Sequence, residues 1–252
     1  MKIVPAGEAV FEWVNEGGAS PFVLVCEHAS SHVPAHLNWL GLGEADLQRH
    51  IAYDIGAAGT ARLLSRLLDA PLILQRFSRL IYDCNRPPES PGAMPDVSEI
   101  FEIPGNRNLS AEAKLARTTQ IYRPFHHALE AHLDARAAAG RLTMVVSLHS
   151  FTRLYRGKRR DVDLGLLFDR DAWLAQQLVK VFPDVSTKLN EPYGPKDGVM
   201  HLLNLHAAPR GLHHLMIEIC NDLLESERNQ QQWAQRLSVP LIQAATKLGE
   251  KK

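Results

Sequence analysis

After Pro21 the chain runs Phe22-Val-Leu-Val-Cys26 without a polar residue, the pattern of a strand buried on both faces of a parallel or mixed sheet, ending near Glu27. From Asp54 to Leu68 the apolar residues Ile55, Ala58, Leu63, Leu64 and Leu67 recur at helical spacing, and Asp69-Ala-Pro71 stops the pattern. Two more apolar runs follow, Pro71 to Leu74 and Leu80 to Tyr82, before Asn85-Arg-Pro-Pro88 breaks regular structure. Arg86 to Leu109 then carries five prolines and two glycines without periodicity, and is expected to be a long loop that covers a site.

Ser110-Ala-Glu112 opens a helical stretch reaching about Ala139, where Gly140 ends it, with a kink or break expected at Pro124. Thr143 to Leu148, Leu164 to Phe168 and Leu212 to Ile219 read as core strands; Ala172 to Val181 and Gln230 to Leu248 read as helices. Strands alternating with helices predict an α/β domain of three layers, a mixed, mostly parallel central sheet with helices on both faces. No repeat, low-complexity tract or linker divides the chain, so residues 1–252 are expected to form one domain.

Charge and composition narrow the function classes. Lysine plus arginine equals aspartate plus glutamate, 28 each, so no global field draws the chain to nucleic acid or an anionic membrane, and neither is expected as a partner. Met1 to Gly18 contains Glu8, Glu12 and Glu16 and lacks the apolar stretch of a signal peptide or spanning helix, which makes the cytoplasm the expected location. Cys26, Cys84 and Cys220 are odd in number and far apart, which fits a reducing compartment and neither a disulfide framework nor a zinc knuckle. Oligomeric state has no signature in the sequence.

Candidate chemistry lies at the strand ends, where open α/β sheets place their ligands. His28 follows the first strand, His149 follows Thr143 to Leu148 in Ser147-Leu-His-Ser150, and Glu218 lies near the end of Leu212 to Ile219. Two imidazoles and a carboxylate suit zinc and leave a coordination position for water. Asp54, in His50-Ile-Ala-Tyr-Asp54, is the candidate carboxylate, with Glu27 and His32 as near competitors. Taken singly, one histidine among 12, or an acid opening a helix, has ordinary structural explanations. Glu218 differs, because a carboxylate beside Leu215-Met-Ile217 is expensive to bury without a partner or a task.

Glu27-His-Ala-Ser30, His50-Ile-Ala-Tyr-Asp54, Ser78-Arg-Leu-Ile-Tyr-Asp-Cys-Asn-Arg-Pro87, Tyr122-Arg-Pro-Phe-His126, Ser147-Leu-His-Ser150 and Met216-Ile-Glu-Ile219 stand in the order seen in the N-formylglutamate amidohydrolase family. The chain resembles that family from about Val23 to Asn221. The family is in turn similar in fold to zinc carboxypeptidases and cell-wall amidases. The resemblance implies Zn2+ on His28, Asp54 and His149, with Glu218 as the catalyst. Glu27-His-Ala-Ser30 and Ser147-Leu-His-Ser150 depart from the Pro-His-Ser-Gly and Asp-x-His-Ser forms of members acting in histidine degradation, which leaves the substrate open.

Asn85-Arg86 offers a fork and an amide to a substrate carboxylate, a use that the carboxypeptidase likeness also implies. Arg79 is expected either to pair with Asp83 or to stabilise an oxyanion. Arg123, His126 and His127 are expected on one helix, from which they can line a cleft, with His127 read first as a plain helix-face residue. The run Arg153-Leu-Tyr-Arg-Gly-Lys-Arg-Arg160 reads first as a solvated loop, then as a contributor to acidic-substrate binding, and last as an RNA patch. Cys26 and Cys220 read as inert core thiols rather than nucleophiles. The expected activity is hydrolysis of a small N-acyl, N-formyl above all, acidic amino acid. The alternatives are a zinc amidase or carboxypeptidase acting on a larger peptide-like substrate, and a non-catalytic carboxylate-binding protein.

Overall fold

The computed structural model of the protein describes residues 1–250. Its centre is a seven-stranded sheet built from β1 (Phe11–Val14), β2 (Phe22–Cys26), β3 (Leu72–Gln75), β4 (Met144–Phe151), β5 (Leu164–Leu167), β6 (Thr187–Leu189) and β7 (His213–Cys220). The spatial order is β1-β3-β2-β4-β7-β5-β6. The pairs β3/β2, β2/β4, β4/β7 and β5/β6 are parallel, while β1/β3 and β7/β5 are antiparallel. The sheet is therefore mixed and mostly parallel, as the alternation of strand and helix patterns predicts.

Both faces are covered, which is why the central strands are apolar without alternation. On one face Phe22, Leu24, Ile217 and Ile219 pack with Ala61 and Leu64 of α1 (Ala57–Leu68), Leu174 and Leu178 of α4 (Trp173–Leu178), and Trp233 and Leu237 of α6 (Glu227–Gly249). On the other, Val23, Val25, Val145 and Met216 meet Phe125 and Leu129 of α3 (Arg123–Ala138) and Leu202 and Leu203 of α5 (His201–His206).

The long helical stretch is interrupted as Pro124 requires. α2 (Ala111–Arg117) is capped by the Ser110 hydroxyl, which accepts from the Ala113 amide at 3.1 Å. A π-helical turn over Thr118–Tyr122 follows, with the Arg123 amide donating to the Thr118 carbonyl, and α3 starts afresh with Pro124, which has no amide to donate, in its first turn. Arg117 is fully buried and donates to the Asn106 side-chain oxygen at 2.6 Å and the Ile81 carbonyl at 3.1 Å, pinning the end of the 86–109 segment to the core.

Several sequence expectations shift. Leu80 to Tyr82 is buried yet forms a turn rather than a strand, because it fills the core beneath the 86–109 segment. α1 begins at Ala57, so Asp54 sits in the preceding turn. That turn closes at Gly56, whose φ is +77° and where a Cβ would lie 2.4 Å from the Leu224 Cβ; only glycine fits. Among the described residues, no helix is long and apolar enough to cross a membrane.

Candidate active site

The carboxyl ends of the parallel strands converge on one cleft. β2 delivers Glu27 and His28, the segment after β3 delivers Arg79, Asp83, Asn85 and Arg86, and β4 delivers His149. β7 delivers Glu218, whose Cα is the in-register partner of that of His149. The cleft has an empty volume of about 770 Å³, and its lining includes His28, Asp54, His149, Glu218 and Arg86. The 86–109 segment covers the site as expected. Its small hairpin at 97–102 places Glu99 in the wall, where the carboxylate accepts from the Arg156 amide at 2.7 Å and lies 2.7 Å from His50 Nε2.

Asp54 is the hub. Its Oδ2 lies 3.2 Å from His28 Nδ1 and 2.7 Å from His149 Nδ1, and the two imidazoles stand edge-on with centroids 4.8 Å apart. One donor atom from each of the three residues falls within 4.8 Å of the others, close enough to share an ion. The outer ring nitrogens are held by further acids: His28 Nε2 lies 2.8 Å from Asp83, and His149 Nε2 lies 3.1 Å from Glu27 and 2.7 Å from the Ser147 hydroxyl. A carboxylate behind each imidazole is the arrangement that orients a metal-ligating histidine.

Electrostatics favour a cation here. Glu27, Asp54, Asp83 and Glu218 are all buried, and the Arg79 guanidinium pairs with Asp54 and Asp83 alone among them. Against the pull of burial and Arg79, the Asp83 and Asp54 carboxylates push the His28 imidazole up. Against burial, Glu27 and Asp54 push His149 well above its ordinary value. Glu218 is different: burial raises its carboxyl to about 7, and its Oε2 has no hydrogen-bond partner among the described residues. An unpartnered buried carboxyl beside a two-histidine, one-aspartate cluster is poised to exchange a proton near neutral pH.

Arg79 forms the ion pair with Asp83 at 2.6 Å and reaches Asp54 at 3.5 Å, so it anchors the floor of the cleft. Asn85 is buried. Its amide donates to the Val199 carbonyl at 2.6 Å and its oxygen accepts from the Leu202 amide at 3.0 Å, leaving one N–H for a ligand. Arg86 stands at the mouth, donating through one Nη to the Asp197 carbonyl at 2.8 Å. Glu27 lies behind His149, and His32 is exposed on Glu8, outside the cluster.

Arg123, His126 and His127 do not line the cleft. Arg123 and His127 are exposed, and His126 turns inward. Its Nε2 donates to the Cys84 carbonyl at 2.8 Å, so its Nδ1 accepts from His206 Nε2 at 2.7 Å, and the buried His206 Nδ1 lacks a partner among the described residues. Burial holds His126 down at about 3 and His206 at about 4. In the unfolded chain both rings return to about 6.5 and bind protons that the fold excludes. Stability from this pair is full above that value and is lost as pH falls toward 4, by roughly 1.4 kcal/mol per pH unit for each ring. His206→Gln keeps a donor for His126 without a titrating ring. Its urea-unfolding free energy should therefore fall less between pH 7 and pH 5 than the wild type's; an equal fall would remove the pair as the cause.

In the basic run, Arg153 is tied to Asp163 and Asp222 at 2.7 Å each, whereas Arg156, Lys158 and Arg159 are exposed, as a solvated loop requires. Burial pushes the Cys26 thiol well up and that of Cys220 to about 12, which makes both poor nucleophiles. The support roles of Glu27 and Asp83 behind the histidines, and Tyr193 in the cleft wall, were not foreseen from sequence. Only the family-like segments that contain the two acids hinted at them.

Comparison with known proteins bears on this geometry. The family model for N-formylglutamate amidohydrolase matches residues 20–225. A gene product of Agrobacterium tumefaciens, known by crystal structure, is 44% identical over 96% of this chain and 97% of its own, with a TM-score of 0.94. N-formylglutamate amidohydrolase from Ralstonia eutropha JMP134 is 19% identical over 97% of this chain and 100% of its own, with a TM-score of 0.68, and shares the fold. No protein of curated function matches the sequence significantly. With most of its length matched, including every strand-end residue described above, the chain belongs to the N-formylglutamate amidohydrolase family.

Proposed function

We propose that this amidohydrolase is zinc-dependent, that residues 1–252 form a single domain acting in the cytoplasm, and that its substrate is a small N-acyl amino acid with an acidic side chain, of which N-formyl-L-glutamate is the first to test. The observation that carries the reading is the unpartnered, buried Glu218 carboxyl beside the His28–Asp54–His149 cluster. The donor set fits zinc: two imidazole nitrogens and a carboxylate oxygen, each imidazole backed by an acid. The chemistry supplied by such an ion is Lewis-acid polarisation of the amide carbonyl and a lowered pKa for water.

Glu218 takes a proton from the attacking water and passes it to the departing nitrogen, acting first as base and then as acid. Burial lifts the Glu218 carboxyl above its ordinary range, the direction required of a group that must return the proton it takes. Asp83 and Glu27 keep the two imidazoles turned toward Asp54, and Arg79 holds Asp83 and Asp54 in place. The Arg86 guanidinium, free at the mouth apart from one backbone bond, grips the substrate carboxylate, and Asn85 sets the backbone of residues 199–202 beside it.

The deciding experiment measures formate release from N-formyl-L-glutamate by purified protein before and after chelation and zinc add-back, with N-acetyl amino acids and short peptides in parallel. Chelator-resistant release would reject the metal, and preference for peptides would move the substrate to the larger class. Arg86→Ala should raise KM for acidic substrates about 10- to 100-fold, the worth of one charge-assisted contact, and leave neutral amides almost unchanged. Equal effects on both would remove the clamp.

A further inference from the structure

Tyr193 belongs to none of the motifs above, yet it lines the same cleft as His28, Asp54, His149 and Glu218. Its hydroxyl oxygen accepts a hydrogen bond from Arg160 Nη1 at 2.9 Å. A guanidinium can only donate, so the phenolic proton must point elsewhere, and among the described residues it reaches no acceptor. Arg160 is itself half-buried behind the wall. Its guanidinium carbon sits 4.3 Å from the Tyr155 ring centroid, 4.6 Å from that of Tyr193 and 5.7 Å from that of Phe151, and no carboxylate pairs with it among the described residues. An uncompensated cation donating to the phenol oxygen polarises the O–H bond and makes it a stronger donor.

From this arrangement we infer that Tyr193 donates a hydrogen bond to the oxygen of the reacting carbonyl as it gains charge, and that Arg160 is the positioning residue that aims it. The phenol stays protonated at neutral pH, because burial and the nearby Glu218 carboxylate lift it to about 12 against the opposing pull of Arg160. A carbonyl oxygen becomes negative only in the transition state, where a preorganised donor acts most strongly.

This inference rests on the amide-hydrolysis reading, and its test separates the two. Zinc-loaded wild type, Tyr193→Phe, Arg160→Met and the double variant are compared on N-formyl-L-glutamate, or on whichever amide of the panel the wild type cleaves best. Metal content, thermal melting and binding of L-glutamate are measured alongside. Tyr193→Phe should lower kcat about 10²-fold with KM within about twofold, the signature of a lost oxyanion donor. Binding of L-glutamate, which has no amide carbonyl, should be unchanged. Arg160→Met should lower kcat less, and adding it to Tyr193→Phe should cost less than about twofold more, because it acts through the same hydroxyl.

A Tyr193→Phe enzyme with wild-type kcat overturns the inference while leaving the hydrolysis reading intact. A raised KM together with weaker L-glutamate binding overturns it in favour of a carboxylate contact, and additive losses overturn the coupling to Arg160. A wild type that cleaves no amide in the panel overturns both readings.

Discussion

Glu218→Gln is expected to bind metal as the wild type does and to lose about 10³-fold in kcat, within the range for removal of a general acid–base group. The substitution is close to isosteric. It leaves the β7 register with β4 untouched and replaces a carboxyl whose Oε2 has no protein partner among the described residues. Because that group lies outside the His28–Asp54–His149 cluster, zinc stoichiometry by elemental analysis should stay at the wild-type level. Burying an amide is also easier than burying a carboxylate, so the variant should melt no lower than the parent. Near-normal turnover would show that the proton moves through another group and would remove Glu218 from the reaction. Loss of zinc together with activity would recast it as a ligand.

The parts of this site that were legible in the sequence share one physical feature: they sit where an apolar run ends. His28 after Phe22–Cys26, His149 in the strand that opens at Met144, and Glu218 beside Leu215-Met-Ile217 are polar groups where buried strands should be apolar, and burial makes such groups informative. The sheet was legible for the same reason, since strands covered on both faces are uninterrupted apolar runs. The edge strands β1 and β6 were not, being short and half-exposed, so their residues carry no such contrast. Tyr193 was hidden differently. Its role depends on Arg160, 33 positions away, and on an aromatic cage that joins Phe151 and Tyr155 to the distant Tyr193, and no local spacing encodes that. The pairing of Glu27 with His149 is likewise a product of β2 lying beside β4.

His149→Ala tests the cluster more severely than any substitution around it. Zinc held by four ligands binds with about 10–16 kcal/mol, so one ligand is worth roughly 3 kcal/mol and its loss should weaken zinc about 10²- to 10³-fold by competition titration. Turnover should vanish at zinc concentrations that saturate the wild type. The same change leaves Glu27, which faces His149 at 3.1 Å and already has one unpartnered oxygen among the described residues, without its cationic partner and with only the Ser147 hydroxyl, at 2.7 Å, donating to it. Breaking a buried pair from one side typically costs about 3–5 kcal/mol, or roughly 6–20 °C in Tm for a chain of this size. Asp83→Asn makes the contrast: it leaves every donor atom of the cluster in place and removes the charge behind His28 together with the ionic partner of Arg79, so zinc should weaken by about 10- to 100-fold. If His149→Ala bound zinc as tightly as the wild type, the imidazole at position 149 would not be a ligand. The convergence of β2, β4 and the turn before α1 would then be packing rather than a metal centre.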